Sequence, residues 1–114
     1  AKYAYDIYIY PKRHYGDFKQ STRRELESFA SIIPQCIGAL NSFFEKEISY
    51  SLSLHQKPFN MNNQMRYHLY FKLHTPQRNK RSDKILGAVE TSTGTFINGT
   101  LPEQAVVNIR DNLN

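Results

Sequence analysis

The stretch Met65-Arg66-Tyr67-His68-Leu69-Tyr70-Phe71-Lys72-Leu73-His74 separates into two sets of side chains when it is read with a period of two. Successive side chains of a β-strand point to opposite faces, so this alternation predicts a half-buried strand. One face is apolar and would meet the core, as is usual for an antiparallel sheet with one open side. The other face, which is basic and aromatic, contains Arg66, His68, Tyr70, Lys72 and His74.

Two earlier stretches alternate in the same way and predict two further strands. In residues 2–10 the inward set is Tyr3, Tyr5, Ile7 and Ile9, and the outward set is Ala4, Asp6, Tyr8 and Tyr10. In residues 47–55 the inward set is Ile48, Tyr50, Leu52 and Leu54, and the outward set is Ser49, Ser51, Ser53 and His55. Consecutive strands joined by one loop are most simply antiparallel neighbours. The second strand and the third, residues 65–74, are therefore expected to pair.

Two helices are predicted from capping boxes and apolar stripes. Thr22-Arg23-Arg24-Glu25 has capping-box spacing and precedes apolar residues at three- and four-residue steps. We expect one helix over residues 22–46 that bends near Pro34. The other possibility is a second helix that begins at Pro34, because proline is tolerated in a first turn. Thr100-Leu101-Pro102-Glu103 is a second box, and a closing helix would follow it. Its apolar face would carry Val106, Ile109 and Leu113.

Residues 84–91 fit two interpretations. As a strand they would form a hairpin with residues 95–97 around Gly94, which is the interpretation we adopt. The predicted fold is then α+β, one domain over residues 1–114. It is a two-layer sandwich in which an antiparallel sheet of four to five strands carries both helices on one face. As a helix, the segment would give the β-α-β-β-α-β order of ferredoxin-like and RNA-recognition folds.

Composition narrows the possible functions without choosing one. The net charge is +5 and the pI about 9.4, which favours a nucleic acid, an anionic membrane or an acidic protein as partner. The single cysteine, Cys36, excludes an internal disulfide framework and a cysteine-based zinc site, and we expect it to be buried. No apolar run approaches the ~18 residues of a membrane span, so no membrane partner is predicted. Neither a cofactor nor a metal is predicted, and localisation is left open.

The outer sheet face suggests a nucleic-acid-binding function. Arginine and lysine neutralise phosphates, and tyrosine rings stack under unpaired bases. We therefore predict a non-enzymatic domain that binds single-stranded or structured RNA or DNA. The predicted contact residues on the sheet face and two basic loops are Tyr8, Tyr10, Lys12, Arg13, Arg66, His68, Tyr70, Lys72, His74, Arg78, Lys80 and Arg81.

Three alternatives remain open. The solvent face of any antiparallel strand is polar, so the pattern is also compatible with an ordinary solvated surface. A metal-independent ribonuclease would need a general acid, a general base and a cation, and His55, His68 and Lys72 are the candidates. A protein-interaction module would bind an acidic protein or add a strand at the sheet edge.

Overall fold

The computed structural model describes residues 3–60 and 66–113, and shows an α+β fold. Residues 2 and 65, assigned above to predicted strands, lie outside the described part. In chain order the elements are β1 (Ile7–Ile9), a 3-10 turn (Phe18–Gln20), α1 (Arg23–Phe44), β2 (Ser51–His55), β3 (Tyr70–His74), α2 (Ala88–Thr93) and α3 (Pro102–Arg110). No helix in these described ranges is long and apolar enough to cross a membrane.

The sheet has three strands within the described residues, and β3 lies in the middle. β1 and β2 are both antiparallel to β3, in the order β1-β3-β2. The antiparallel pairing of β2 with β3 confirms the prediction, although every strand is shorter than its alternating stretch. The predicted total of four to five strands is not confirmed. Leu73, at the centre, faces Ile7 on one side and Leu52 on the other, and it is completely buried.

Helix α1 begins with the predicted capping box. The Glu25 amide donates to Thr22 Oγ1 at 3.2 Å, and the Thr22 amide donates to Glu25 Oε2 at 2.7 Å. The helix continues through Pro34, whose ring lies on an exposed side, where water can reach the carbonyl that proline leaves without a donor. It ends at Glu45, which adopts the left-handed conformation with φ 57°.

The core lies between the helices and the β1–β3 part of the sheet. Its larger cluster joins Leu40 and Phe44 of α1, Leu73 of β3 and Ala105 of α3. The buried Cys36 belongs to this cluster, as expected, and burial raises the pKa of its thiol. A smaller cluster contains Tyr15, Phe29 and Leu69.

The apolar layer does not cover β2. Leu52 and Leu54 lie on the helix side of the sheet, opposite Leu73 and Phe71, yet they are 40% and 37% exposed. The prediction that these two leucines are buried is therefore wrong. Alternation identifies the side of a strand that faces the helices but not how far the helices extend across the sheet.

The segment from residue 84 to residue 97 differs from the hairpin that we predicted. Residues 88–93 form the short helix α2, and Gly94 ends that helix with φ 70° instead of turning a hairpin. The Glu90 carboxylate stabilises the start of α2, because it accepts from the Gly87 amide at 3.4 Å. The Thr100 capping box is also absent. Helix α3 has Leu101 as its N-cap without a side-chain capping bond.

Helix α3 buries less of its apolar stripe than the sequence predicts. Val106 and Leu113 are exposed, Ile109 is half-buried, and Ala105 makes the deepest contact. The larger part of the closing helix's apolar face is thus open to solvent.

The loop before α1, residues 11–21, holds both ends of the connection between β2 and β3. The Lys57 amide donates to Gly16 O at 2.7 Å, and the Leu69 amide donates to Tyr15 O at 2.8 Å. A Cβ at Gly16 would stand 3.1 Å from Tyr67 O, so the close approach of the two segments leaves little room for a side chain there. We call residues 11–21 the clamp loop.

Candidate functional site

The outward side chains of the three strands form one continuous surface, the outer sheet face. The strand register places Tyr8 of β1, Lys72 of β3 and Ser53 of β2 side by side. His74 and Tyr70 lie two residues away on either side of Lys72, on the same face. The structure therefore brings together several of the predicted contact residues that come from different strands.

A cluster of charged and aromatic groups surrounds Asp6 on this face. One Asp6 oxygen lies 2.7 Å from His74 Nδ1, and the other lies 3.2 Å from Lys72 Nζ. The ring of Tyr3 packs edge-on against His74 at 4.4 Å, and Lys72 Nζ lies 5.6 Å from the ring centre of Tyr8. These five residues are the Asp6 cluster. Burial lowers the pKa of Lys72, but the hydrogen bond and charge of Asp6 outweigh it and leave that pKa raised.

A cavity of about 550 Å³ opens beside the Asp6 cluster. Its polar wall is formed by Asp6, Lys72 and Tyr8, and its apolar wall by Val106 and Ile109 of α3. This volume lies within the roughly 300–1,000 Å³ of ordinary ligand pockets, which combine apolar walls with a few polar groups. The arrangement can hold a small ligand with both hydroxyl groups and an anionic group.

A row of five rings runs along the same face from β2 to the clamp loop. His55 stacks on Tyr70 at 4.6 Å, Tyr70 contacts Tyr10 at 5.1 Å, Tyr10 contacts His68 at 5.1 Å, and His68 contacts His14 at 4.6 Å. His68 Nε2 also lies 2.9 Å from the carbonyl oxygen of Pro11. We call these residues the ring row. His55 and Tyr70 are nearly parallel, whereas the other neighbouring rings are tilted by 35–54° to one another. The row is an aromatic surface that another ring can contact.

The ring row separates the residues of the ribonuclease alternative. Two tyrosine rings, those of Tyr70 and Tyr10, lie between His55 and His68. The third candidate, Lys72, is ion-paired with Asp6. The three groups therefore do not converge on one phosphate position, as acid–base cleavage would require.

Three of the seven predicted lysines and arginines, Arg13, Lys72 and Lys80, are paired with carboxylates within the protein. Arg13 pairs with Glu25 at 2.9 Å and lowers the pKa of that carboxyl to about 2. Lys80 pairs with Glu45, and Arg78 lies beside Gly99. Three of the predicted cations, Lys12, Arg66 and Arg81, have exposed side chains. The excess positive charge does not form a continuous path for a phosphate backbone.

Several potentially functional residues were missed by the sequence analysis. Asp6 and Tyr3 join the site through tertiary contacts, and only the alternation of residues 2–10 had placed Asp6 on the outer face. His14 lies in a loop and carries no periodic signal. A buried ion pair, Lys84 with Glu90 at 2.9 Å, was also missed, and Lys84 lowers the pKa of that carboxyl.

Within residues 3–60 and 66–113, no cluster of three or more His, Cys, Asp or Glu side chains is arranged to hold a metal ion. The outer sheet face thus offers aromatic stacking, one buried carboxylate and paired cations as its means of binding.

Comparison with known proteins finds similarity to uridylyltransferases. No protein-family model matches it. It is 30% identical over 112 residues to the galactose-1-phosphate uridylyltransferase of Thermotoga maritima. Two solved structures of a uridylyltransferase, one of them a mutant, superpose with a TM-score of 0.87 at 28% identity.

The match covers nearly all of this chain but only about a third of the relatives. The match with the Thermotoga protein covers 97% of this chain and 35% of that protein. The matches with the two solved structures cover 98% of this chain, and 37% and 35% of theirs. The chain is therefore similar to one part of a uridylyltransferase.

These similarities contradict the function predicted from the sequence. The prediction of a nucleic-acid-binding domain is wrong, and so is the ribonuclease alternative, because the similar proteins are named as uridylyltransferases. They give no support to an interaction module with an acidic partner either. The physical reason for the error is that Arg13 and Lys80, two of the cations in the predicted basic loops, are paired with carboxylates.

Proposed function

We propose that this chain is a ligand-binding unit of a uridylyltransferase, an enzyme that transfers a uridylyl group to or from a sugar phosphate. The observation that carries the proposal is the 30% identity with galactose-1-phosphate uridylyltransferase over 97% of the chain. The similarity of the solved uridylyltransferase structures, with a TM-score of 0.87, agrees with it.

The outer sheet face suits the parts of a uridylyl group. Uracil is a flat ring, and the ring row presents Tyr70 and Tyr10 for stacking. The ribose and the phosphate need hydrogen-bond acceptors and a cation, which Asp6 and Lys72 supply. A single nucleotide matches this short surface better than a polynucleotide does.

The two halves of this surface are adjacent, as a nucleotide requires. Tyr8 connects them, because its ring lies 5.7 Å from that of Tyr70 and 5.6 Å from Lys72 Nζ. In the proposed pose the base lies on the ring row, the phosphate lies near Lys72, and a linked sugar extends into the cavity beside α3.

The test is a titration of the isotope-labelled chain with uridine 5′-monophosphate and with a uridine diphosphate hexose, followed by NMR. We expect the amide signals of β1 and β3 to shift in a saturable way. Tyr70→Ala should remove a stacking contact worth roughly 1–3 kcal/mol and weaken binding at least fivefold. Tyr50→Ala, which removes an exposed tyrosine just before β2, is the matched control and should leave the affinity unchanged.

A second pair of variants tests the phosphate contact. Lys72→Met should weaken the binding of the nucleotide more than that of uridine, whereas Lys46→Met, an exposed lysine just after α1, should change neither. Equal losses for uridine and its monophosphate would remove Lys72 from the phosphate site. Signal shifts confined to residues away from β1 and β3 would place the nucleotide elsewhere and contradict the proposal.

A further inference from the structure

The loop between α2 and α3 contains the one Asn-Gly pair of this sequence, Asn98-Gly99. An asparagine side chain that precedes glycine is open to attack by the next backbone nitrogen, because glycine has no Cβ to obstruct the approach. Residues 94–101 form neither helix nor strand, so ring closure at this position would not disrupt regular secondary structure. Asn98 is half-buried and Gly99 is exposed, so water can reach the pair.

The buried ion pair of Lys84 with Glu90 positions the Asn98 side chain. Lys84 Nζ lies 2.9 Å from Glu90 Oε2 and donates to Asn98 Oδ1 at 3.1 Å. It also donates to the carbonyl oxygen of Ile97 at 2.7 Å, and the Ile97 amide donates to Glu90 Oε2 at 3.3 Å. Both members of the pair therefore hold the backbone next to Asn98. The ammonium contacts the oxygen on which negative charge develops when a nucleophile adds to Asn98 Cγ.

A second cation lies beside the attacking nitrogen. A Cβ at Gly99 would stand 3.7 Å from Nη2 of Arg78 and 3.8 Å from its Nε, so the guanidinium borders this glycine. A nearby positive charge favours the anionic form of a group, and the Gly99 amide attacks as its anion. The Asn98-Gly99 pair is thus placed between two cations. One stabilises the amide anion that attacks, and the other stabilises the oxyanion that the attack forms.

We propose that Asn98 is a site of spontaneous deamidation, which Lys84 and Arg78 promote in the folded protein. The Gly99 amide nitrogen gives its proton to solvent and bonds to Asn98 Cγ, and Lys84 stabilises the negative charge on Oδ1. The bond from Cγ to Nδ2 then breaks, that nitrogen takes a proton from water and leaves as ammonia, and a succinimide ring remains. Water opens the ring at either carbonyl and gives aspartate or isoaspartate. The overall reaction consumes one water and releases one ammonia.

The reaction changes the charge of a small cavity. Arg78, Lys84, Glu90 and Asn98 all line a cavity of about 210 Å³. The product carries a carboxylate beside Lys84, where the unmodified chain has a neutral amide. The wall of this cavity therefore becomes more negative as the molecule ages. The proposal rests on this loop and its two cations, and it does not depend on nucleotide binding.

Mass spectrometry of peptides from aged protein is the first test. The purified protein is incubated at mildly alkaline pH, in its native state and in guanidinium chloride, and is sampled over time. We expect the peptide that contains Asn98 to exchange NH for oxygen at least as fast in the native protein as in the denatured chain, which lacks the contacts with Lys84 and Arg78. Labelling with an isoaspartyl methyltransferase measures the isoaspartate product. Asn79, which precedes Lys80 in another loop, is the internal control and should remain unmodified.

Variants separate the contributions of the cations and of the glycine. Lys84→Met should slow the native reaction at least fivefold and Arg78→Met at least threefold, and neither should change the rate in the denatured chain. Lys46→Met, at an exposed position just after α1, is the control and should change neither rate. Gly99→Ala should slow the reaction at least tenfold in both states, because its methyl group obstructs the attack. This methyl group would make only an ordinary van der Waals contact with Arg78, so the variant should fold, as circular dichroism can confirm.

Three results would overturn the proposal. These are a native rate below the denatured rate, a native rate in Lys84→Met that equals or exceeds that of the parent chain, and a mass change located at an asparagine other than Asn98. The first would mean that the fold protects Asn98 instead of promoting its reaction. The second would mean that the ammonium of Lys84 does not assist the attack.

Discussion

Replacing Leu40 with alanine tests whether the core is organised as the structure indicates. Leu40 lies in α1 at 0% exposure, in the cluster that joins α1, α3 and β3. Leucine-to-alanine changes at such sites combine lost apolar transfer with an unfilled cavity, so we expect a cost of about 3 kcal/mol. For 114 residues the entropy of unfolding is about 0.24 kcal/mol per kelvin, so the melting temperature should fall by roughly 12 °C.

The matched control is Leu26→Ala in the same helix. Leu26 is 40% exposed, and both positions lie inside α1, so the difference in helix propensity between leucine and alanine is the same at each. We expect a loss below about 1 kcal/mol and a melting shift under roughly 4 °C. Thermal unfolding of dilute protein, followed by circular dichroism, measures both. Equal shifts in the two variants would refute the assignment of the core to the second half of α1.

Three further predictions follow from single contacts. Thr22→Ala removes the N-cap of α1 and should cost about 1 kcal/mol in urea unfolding, whereas Ser31→Ala, in the exposed middle of α1, should cost less. The pKa of Glu25 lies near 2 in the folded state, below the ordinary 4.5, so its contribution to stability is present above pH 4.5 and is lost as the pH falls towards 2. Glu25→Gln should therefore flatten the dependence of the urea midpoint on pH in that range, and an unchanged slope would contradict this. Burial raises the pKa of the Cys36 thiol, so the thiol should react slowly with a disulfide reagent in the native protein and rapidly in urea.

Local periodicity was sufficient to predict those parts of the fold whose structure is determined by residues close together in the sequence. Alternation assigned Tyr8, Tyr70, Lys72 and His74 to one face, and the observed register agrees. The spacing of Thr22 and Glu25 predicted the start of α1, because the capping bonds join residues only three positions apart.

The errors arise where distant parts of the chain decide the outcome. Residues 84–91 are compatible with both a strand and a helix, and contacts such as the ion pair of Lys84 with Glu90 are formed only in the folded protein. The exposure of Leu52 depends on how far α1 and α3 extend across the sheet, which no local pattern encodes. Asp6 joins the site through its contact with His74, which lies 68 residues away in the sequence.

The error in the predicted function also arises from contacts between residues that are distant in the sequence. Net charge sums lysines, arginines and carboxylates without their positions, and two of the predicted contact residues, Arg13 and Lys80, prove to be bound to carboxylates. Composition therefore overestimated the affinity of this surface for a polyanion.

The clamp loop has a consequence for how this sequence can diversify. Since Tyr15 and Gly16 hold Leu69 and Lys57 by main-chain hydrogen bonds, the alignment of β2 with β3 does not rest on their connecting residues alone. Natural variation in the number of residues between β2 and β3 should thus leave the pairing of these two strands unchanged. Larger side chains at Gly16, by contrast, should disturb this alignment, since a side chain there would crowd the carbonyl of Tyr67.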